Sequence, residues 1–237
     1  AVYDTVPQQG VTWALPYGYG DPRGTVYVEG NIFSKTVPVN MNVIDGRLST
    51  RTVMRFNDIV ANSNQTNCGF HIEAHSVQDA QTKRGYMRWE YYNNIQNNKG
   101  AFHFYPFRLR AGTGLVFNND VIGNWTNFGI ALDNVRSFED YSGSEAGNCD
   151  GNSPWDGNED STGYPCRDQI GRGYDLVPWV NNPPGAYTQV LMPAYAWNNK
   201  NQFGAEVPFH VINNSSKHIK RNGTSAPNWF LLFHEIG

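Results

Sequence analysis

The sequence predicts an all-β protein built as a solenoid, in which similar coils of strand are stacked on one another. The first observation is a repeated unit: an aromatic–Asn step followed by a Gly and a short strand of alternating apolar residues. The Asn residues of this unit are 36 and 25 positions apart, and the Gly residues are 31 and 29 positions apart. Such spacings, with a strand period and no helical period, are typical of solenoids. The three units begin at Phe56, Tyr92 and Phe117.

Composition is the second observation. The chain has 28 Asn and 24 Gly residues but only 6 Lys among its 237 residues. Asn and Gly tolerate the left-handed backbone that tight turns require, so their abundance fits many short strands joined by sharp corners. No linker or low-complexity tract divides the chain, and a single domain over 1–237 is predicted.

The strands follow in order along the chain, each with apolar and polar residues alternating at the strand period. Residues 1–24, rich in Pro, Gly and Tyr, are expected to cap the first open end, and the apolar tail 228–237 the second, because uncapped sheet edges invite aggregation. The predicted strand-containing segments are Thr25–Ser34, Arg51–Asn62, Gly85–Asn98, Gly112–Asn124, Ala196–Asn199 and Pro208–Ile212.

Stacking the coils in parallel brings equivalent side chains into register. One set fills a continuous core, and the other forms rungs about 4.8 Å apart on an outer, solvent-facing side. The paired Asn residues are expected to form a ladder at one corner, each hydrogen-bonded to the backbone of a neighbouring coil. The inward set is Phe70, Ile72, Phe102, Phe104, Ile130 and Leu132, and the outward set is His71, Glu73, His103, Tyr105, Ala131 and Asp133.

Residues 139–193 interrupt the repeat and are predicted to be a long loop insertion, and a loop of this length usually carries function or a partner contact. Cys149 and Cys166 bracket a part of it that is rich in Gly, Asp and Asn, and we expect a disulfide between them. Closing this loop would contribute roughly 3 kcal/mol on the chain-entropy model. A disulfide also implies an oxidising compartment.

Several strings of the sequence resemble the right-handed parallel β-helix of the pectate-lyase-like superfamily. The similarity is closer to a group of secreted bacterial β-helix proteins without an assigned activity. It implies a right-handed single-stranded parallel β-helix in which the Gly-led strands lie beside a substrate groove. The strings are Val28–Phe33, Arg51–Asn57, Ala74–Ser76, Arg84–Asn94, Arg110–Asn119 and Gly163–Arg172.

The first candidate site is the set of outer rungs, because two histidines one coil apart beside carboxylates and a phenol suit sugar binding or proton transfer. The alternative is that these are the polar residues that any solenoid places on its solvent face. The rung candidates are His71, Glu73, His103, Tyr105 and Asp133.

Arginines beside the strands are the second candidate, because planar guanidinium groups bind carboxylates bidentately. The resemblance implies that an Arg serves as the base in β-elimination on a uronic acid, and Arg108 or Arg110 is placed for that role. The alternative is a set of structural ion pairs. A glycoside hydrolase would instead need two carboxylates across the bond, for which Glu73 and Asp133 are the candidates.

The acidic loop offers a calcium site, because alternating oxygen ligands with flexible glycines suit Ca²⁺. The EF-hand pattern fails, since Ser161 stands where Gly belongs and Arg167 where the bidentate Glu belongs. The alternative is a solvated loop. The candidate ligands are Asp150, Asn152, Asp156, Asn158 and Asp160.

Aromatic residues are the last candidates, for stacking on sugar rings, for a protein interface or for packing of the loops. With Tyr105, the tryptophans considered as ligand-binding are Trp155, Trp179 and Trp197.

The net charge of −3 argues against a nucleic-acid partner, which needs a concentrated basic face. No apolar run reaches the roughly 20 residues of a membrane-spanning helix. The chain begins at Ala1 with neither Met nor a charged and apolar leader, which is expected of a processed or trimmed secreted protein, although an artificial boundary would look the same.

These observations lead us to expect a secreted, extracellular or cell-surface protein that contacts an extended polysaccharide. If the protein is an enzyme, we favour a lyase of acidic polysaccharides over a glycoside hydrolase. The alternative is a non-catalytic structural or adhesive component of a cell-surface filament, extracellular assembly or virion, whose partners are other copies of itself.

Overall fold

The computed structural model describes residues 25–37, 42–46, 50–62, 70–75, 85–103, 105–133, 168–175 and 189–212, without the side chains of 101–103, 174, 175 and 191. Every regular element in these ranges is a strand, and none of them contains a helix long and apolar enough to cross a membrane. The predicted caps at 1–24 and 228–237, and most of the insertion 139–193, lie outside the described residues.

The strands fall into five coils of three, with one hairpin between the fourth and fifth coils. In chain order they are β1 Val26–Glu29, β2 Ile32–Lys35, β3 Ile44–Gly46; β4 Arg51–Arg55, β5 Asp58–Ala61, β6 Ile72–Ala74; β7 Arg88–Tyr92, β8 Ile95–His103, β9 Phe107–Leu109; β10 Thr113–Phe117, β11 Asp120–Trp125, β12 Ile130–Leu132; the hairpin β13 Arg172–Asp175 and β14 Gln189–Leu191; and β15 Tyr195–Trp197, β16 Lys200–Asn201, β17 Phe209–Val211.

Each coil gives one strand to each of three parallel five-stranded sheets. The first sheet has the order β1-β4-β7-β10-β15, the second β2-β5-β8-β11-β16 and the third β3-β6-β9-β12-β17. The hairpin β13–β14 pairs antiparallel. This topology confirms the predicted all-β architecture of stacked parallel coils and is compatible with a parallel β-helix.

The core is a set of vertical columns of apolar side chains, one residue from each coil. In the third sheet the register places one residue from each strand directly over the next. Every member of this column is at most 5% exposed. Its members are Ile44, Ile72, Phe107, Ile130 and Phe209.

The predicted inward residues Phe70, Ile72, Ile130 and Leu132 are buried, as expected. The predicted register is wrong for the third coil. Strand β8 continues through Gly100 to residue 103 within the second sheet. Gly100 therefore does not begin the third-sheet strand. Phe107 therefore takes the column position that was predicted for residues 102–104.

One corner of the coil uses the same backbone conformation in every coil. The residue after each first-sheet strand has a positive φ. Asn and Gly adopt this left-handed region readily, whereas for a bulky residue such as Phe56 it costs about 1–2 kcal/mol. The column is Gly30 (φ 64°), Phe56 (58°), Asn93 (53°), Asn118 (53°) and Asn198 (50°).

The next residue in each of these turns belongs to the predicted asparagine ladder, which is confirmed. In the third and fourth coils the ladder residues are Asn94 and Asn119, one position later than the repeat suggested, because Asn93 and Asn118 occupy the left-handed position. From the second coil onward, each ladder side chain donates to a carbonyl of the preceding coil. The bonds are Asn57 to Val28 O (2.8 Å), Asn94 to Met54 O (2.9 Å), Asn119 to Tyr91 O (2.9 Å) and Asn199 to Val116 O (2.8 Å).

A stack of aromatic rings runs along the outer side of the first sheet. Tyr92 and Phe117 have ring centroids 4.6 Å apart, and Phe117 and Trp197 have centroids 4.4 Å apart. The ring planes differ by only 8° and 2°, because the three residues are directly paired in adjacent strands. Arg55 precedes Tyr92 in the same row.

Candidate ligand site on the third sheet

The outer row of the third sheet brings together most of the predicted catalytic residues. Glu73 of β6 pairs with Arg108 of β9, and Ala131 and His210 continue the row on β12 and β17. His71, Arg110 and Asp133 lie within two residues of Glu73, Arg108 and Ala131 in the chain, respectively. Arg110 and Asp133 form ion pairs with Glu73 and Arg108, and His71 contacts Glu73.

His103 does not belong to this row. It ends β8 in the second sheet, where it pairs with Trp125. The predicted rung of His71 with His103 therefore does not form, and Arg108 stands in the position expected for a histidine. The cause is the extended β8, which delays the corner leading into the third sheet by several residues.

Glu73 is a buried carboxylate, with 4% exposure, that is surrounded by polar side chains. Its Oε1 is ion-paired with Arg110 Nη2. Its Oε2 accepts a hydrogen bond from Asn42 Nδ2 at 2.6 Å and contacts His71 Nε2 at 3.2 Å. One cation and two neutral donors thus compensate the buried carboxylate, as burial of a charge requires.

Arg108 is anchored by a second buried carboxylate. Its Nη2 and Nε contact Asp133 Oδ2 at 2.6 and 3.2 Å. Asp133 is fully buried, whereas the Arg108 side chain keeps 31% exposure. Both contacts use the same edge of the guanidinium, and its other edge makes no hydrogen bond to a described residue.

His71 is a neutral imidazole in this environment. Its pKa is lowered to about 3, chiefly by burial and in addition by the nearby positive charges of Arg108 and Arg110. In the neutral form Nε2–H donates to Glu73, which leaves Nδ1 as the acceptor. A nitrogen with so low a pKa is a weak general base and is not protonated to act as an acid near neutral pH.

Tyr105, which is 5% exposed, lies against His210, the exposed residue at the end of the row. The Tyr105 hydroxyl is 3.3 Å from His210 Nδ1, and the two rings meet edge to face. Burial raises the pKa of Tyr105, and the charge of Asp133 raises it further, so the hydroxyl stays protonated at neutral pH. His210 is exposed and packs over Gly129.

The polar rungs were expected to face solvent, and in this respect the expectation is wrong. Glu73, Ala131 and Asp133 are at most 4% exposed, and both carboxylates are ion-paired with arginines. An ion-paired guanidinium is a cation and cannot accept a proton. The pairs therefore favour binding by Arg108 and Arg110 over a role as the base of an elimination.

The remaining predicted site residues are either elsewhere or not described. Trp197 lies in the aromatic stack of the first sheet, with one ring face against Phe117. Within the described ranges, no group of three or more His, Cys, Asp or Glu residues is arranged to hold a metal ion. Those outside the described residues are Trp155, Trp179, Asp150, Asn152, Asp156, Asn158, Asp160, Cys149 and Cys166.

Sequence reasoning missed three members of the site: Asn42, His210 and Asp45, which pairs with Glu73 at the start of the row. His210 lies in the predicted segment Pro208–Ile212, and aligning that segment with β9 and β12 would have placed it in the row. Asn42 precedes β3 and nothing in the repeat marks it. Its role as a donor to Glu73 is visible only in three dimensions.

Comparison of the chain with protein-family models, curated proteins and solved structures found no match. The parallel all-β architecture is compatible with the pectate-lyase-like resemblance, and membership of that superfamily stays a prediction.

Proposed function

We propose that the protein is a secreted right-handed β-helix that binds an acidic polysaccharide along the outer row of its third sheet. The observation that carries this proposal is the geometry of Arg108. A fully buried Asp133 holds one edge of the guanidinium at 2.6 and 3.2 Å, while the side chain remains 31% exposed.

This arrangement suits recognition of a sugar carboxylate. A guanidinium fixed in direction loses little side-chain freedom when it binds, and its free edge offers donors to a planar carboxylate. The exposed imidazole of His210, which contacts the Tyr105 hydroxyl, adds a hydrogen-bonding group two strands further along the row. Mixed donors and acceptors beside a cation are what a hydroxylated, acidic ligand requires.

Binding is tested by affinity electrophoresis or calorimetry with pectate, alginate and glycosaminoglycans, and with an uncharged dextran for comparison. We expect Arg108→Gln to weaken binding of the acidic polymer about tenfold or more, since a charge-assisted hydrogen bond contributes about 1.5–3 kcal/mol. Lys200→Gln is the matched control, because Lys200 is also exposed and ion-paired at 2.6 Å, to Glu206 on a different face. Equal binding by both variants would contradict the proposal.

Whether the protein also cleaves these polymers as a lyase is tested by incubating it with each of them, with and without calcium, and measuring unsaturated products. The ion pairs of Arg108 and Arg110 lead us to expect binding without cleavage. If cleavage occurs, and is lost in Arg110→Gln but retained in Lys200→Gln, the elimination would instead depend on the buried pair of Arg110 and Glu73.

A second candidate function is that of a building block in a larger assembly. The observation that favours it is the first coil, whose strands β1 and β2 end the first and second sheets. Exposed apolar residues lie on these edge strands: Ile32 is 76% exposed, Tyr27 41% and Val26 38%. Such edges pair readily with further strands. A protein that stays monomeric in sizing experiments at increasing concentration would count against this candidate.

A further inference from the structure

Phe56 is the exception in the column of left-handed residues at the first corner. Its four equivalents are Gly30 and the asparagines at 93, 118 and 198, all of which suit a positive φ. Phe56 adopts the same conformation at φ 58°. A strained bulky residue persists where the surroundings impose it and is a reason to look for a function.

The Phe56 ring is presented to solvent. The residue is 57% exposed, and its ring is inclined by 79° to that of Tyr92, at a centroid separation of 6.3 Å. By contrast, Phe117 in the neighbouring stack has a ring against each of its faces. Phe56 therefore stands across the direction of the stack, and its ring is accessible to a ligand.

A fixed pair of opposite charges lies beside this ring. Arg55 Nη2 is 2.6 Å from Glu29 Oε1, and Arg55 Nη1 donates to the Tyr92 hydroxyl at 2.7 Å. The guanidinium carbon is 5.6 Å from the centre of the Phe56 ring. The side chains of Arg55 and Glu29 are 33% and 38% exposed, so both remain accessible to a ligand.

We propose that Glu29, Arg55, Phe56 and Tyr92 form a binding site for an uncharged pyranose unit of a saccharide. The apolar C–H face of the sugar packs on the Phe56 ring. Glu29 accepts hydrogen bonds from hydroxyl groups of the sugar, and Arg55 donates to others. The occupant is uncharged because the charges of Glu29 and Arg55 cancel, and an apolar ring edged by donors and acceptors matches a sugar with one apolar face.

This corner site lies on the first sheet, whereas the acidic-polysaccharide site lies on the third. It therefore goes beyond the proposed function and does not depend on it. The contact with a sugar supplies a reason for Phe in place of Asn at a position where Asn would relieve the backbone strain.

The sharpest test is Phe56→Asn, which restores the residue found at three other positions of the column. We expect it to weaken binding of uncharged oligosaccharides (cello-, xylo-, manno- and maltohexaose, measured by calorimetry) about tenfold or more. We also expect its Tm to rise by about 2–4 °C, because the left-handed turn becomes unstrained. Phe56→Trp should retain binding, because it keeps an exposed aromatic face.

Phe203→Asn is the matched control, since Phe203 is 79% exposed on the last coil and should be replaceable without loss of binding. The proposal is overturned if the wild-type protein binds none of the four sugars at millimolar concentration, or if Phe56→Asn binds them as well as the wild type does. A fall in Tm for Phe56→Asn would overturn the strain argument. Arg108→Gln should leave the binding of these sugars unchanged, so failure at one site is distinguishable from failure at the other.

Discussion

The side-chain oxygen of Asn119 accepts two hydrogen bonds from Asn94, one from its backbone N–H and one from its side-chain amide, both at 3.0 Å. Asn94 in turn receives the same pair of bonds from Asn57, at 3.2 and 2.9 Å. Both residues are at most 1% exposed. The ladder therefore satisfies the polar groups of each corner with those of the adjacent coils, and it joins the coils in one register.

Asn94→Ala should be strongly destabilising. The change removes the acceptor of two bonds from Asn57 and leaves the Met54 carbonyl without its donor, in a site that water does not reach. Each buried group left without a partner costs about 1–3 kcal/mol, so we expect the free energy of unfolding to fall by about 2–4 kcal/mol. Denaturant unfolding measures this loss.

The matched control is Asn62→Ala. Asn62 is exposed, and its side chain makes one long contact of 3.4 Å with Ser34. We expect a change below about 0.5 kcal/mol for this surface position. Similar losses for the two variants would show that the ladder adds no stability beyond that of any surface asparagine.

The ladder also shows how far the repeat could be interpreted from sequence. The consecutive Asn residues mark the corner correctly, because both the left-handed position and the ladder position favour Asn. Which Asn takes which place could not be decided in the third and fourth coils, where two stand together. In the second coil Phe56 occupies the left-handed position, and this hid the true alignment of Asn57 with Asn94 and Asn119.

Gln96→Leu should stabilise the protein. Gln96 lies between Ile59 and Val121 in the second sheet and is fully buried. Neither its amide nitrogen nor its amide oxygen has a hydrogen-bond partner among the described residues. Replacing an unbonded amide by an apolar side chain of similar size removes a desolvation penalty, so we expect a gain of about 1–3 kcal/mol in unfolding free energy.

Gln189→Leu is the contrasting variant. Gln189 is equally buried, but its amide donates to Asp168 Oδ1 and accepts from the Asp168 backbone N–H, both at 2.7 Å. We expect this change to destabilise by about 2–4 kcal/mol, since it removes the Gln189 donor to Asp168 Oδ1 and the Gln189 acceptor of the Asp168 N–H in a buried site. A loss of stability in Gln96→Leu as well would mean that the Gln96 amide is hydrogen-bonded in solution, and the expectation would fail.

The candidate site was predictable in part of its residues but not in its environment. His71, Glu73 and Asp133 could be selected because the strand period fixes which positions share a side of the sheet, and Arg108 and Arg110 because they lie beside the strands. Their burial could not be inferred, since alternation alone does not show that Arg108 and Arg110 fold over the carboxylates of Asp133 and Glu73. The long β8, which removes His103 from the row, has no marker in the sequence.

His71 should make the stability of the protein depend on pH in the acidic range. Its pKa is lowered from 6.5 to about 3, chiefly by burial and then by Arg108, Arg110 and Lys35, while Asp45 acts in the opposite direction. Between these two pH values the unfolded chain binds a proton at His71 that the folded chain does not. The stabilisation is therefore complete above pH 6.5 and is lost as the pH falls toward 3, at about 1.4 kcal/mol per pH unit.

The contribution of His71 is isolated by comparing the wild type with His71→Gln, which cannot titrate but keeps an amide donor near Glu73. Urea unfolding at intervals from pH 7.5 to 4.5 should give a steeper loss of stability for the wild type, by roughly 1 kcal/mol per unit below pH 6. Carboxylates that titrate in both proteins cancel in the difference. Parallel curves for the wild type and His71→Gln would show that His71 is as easily protonated in the folded protein as in the unfolded chain.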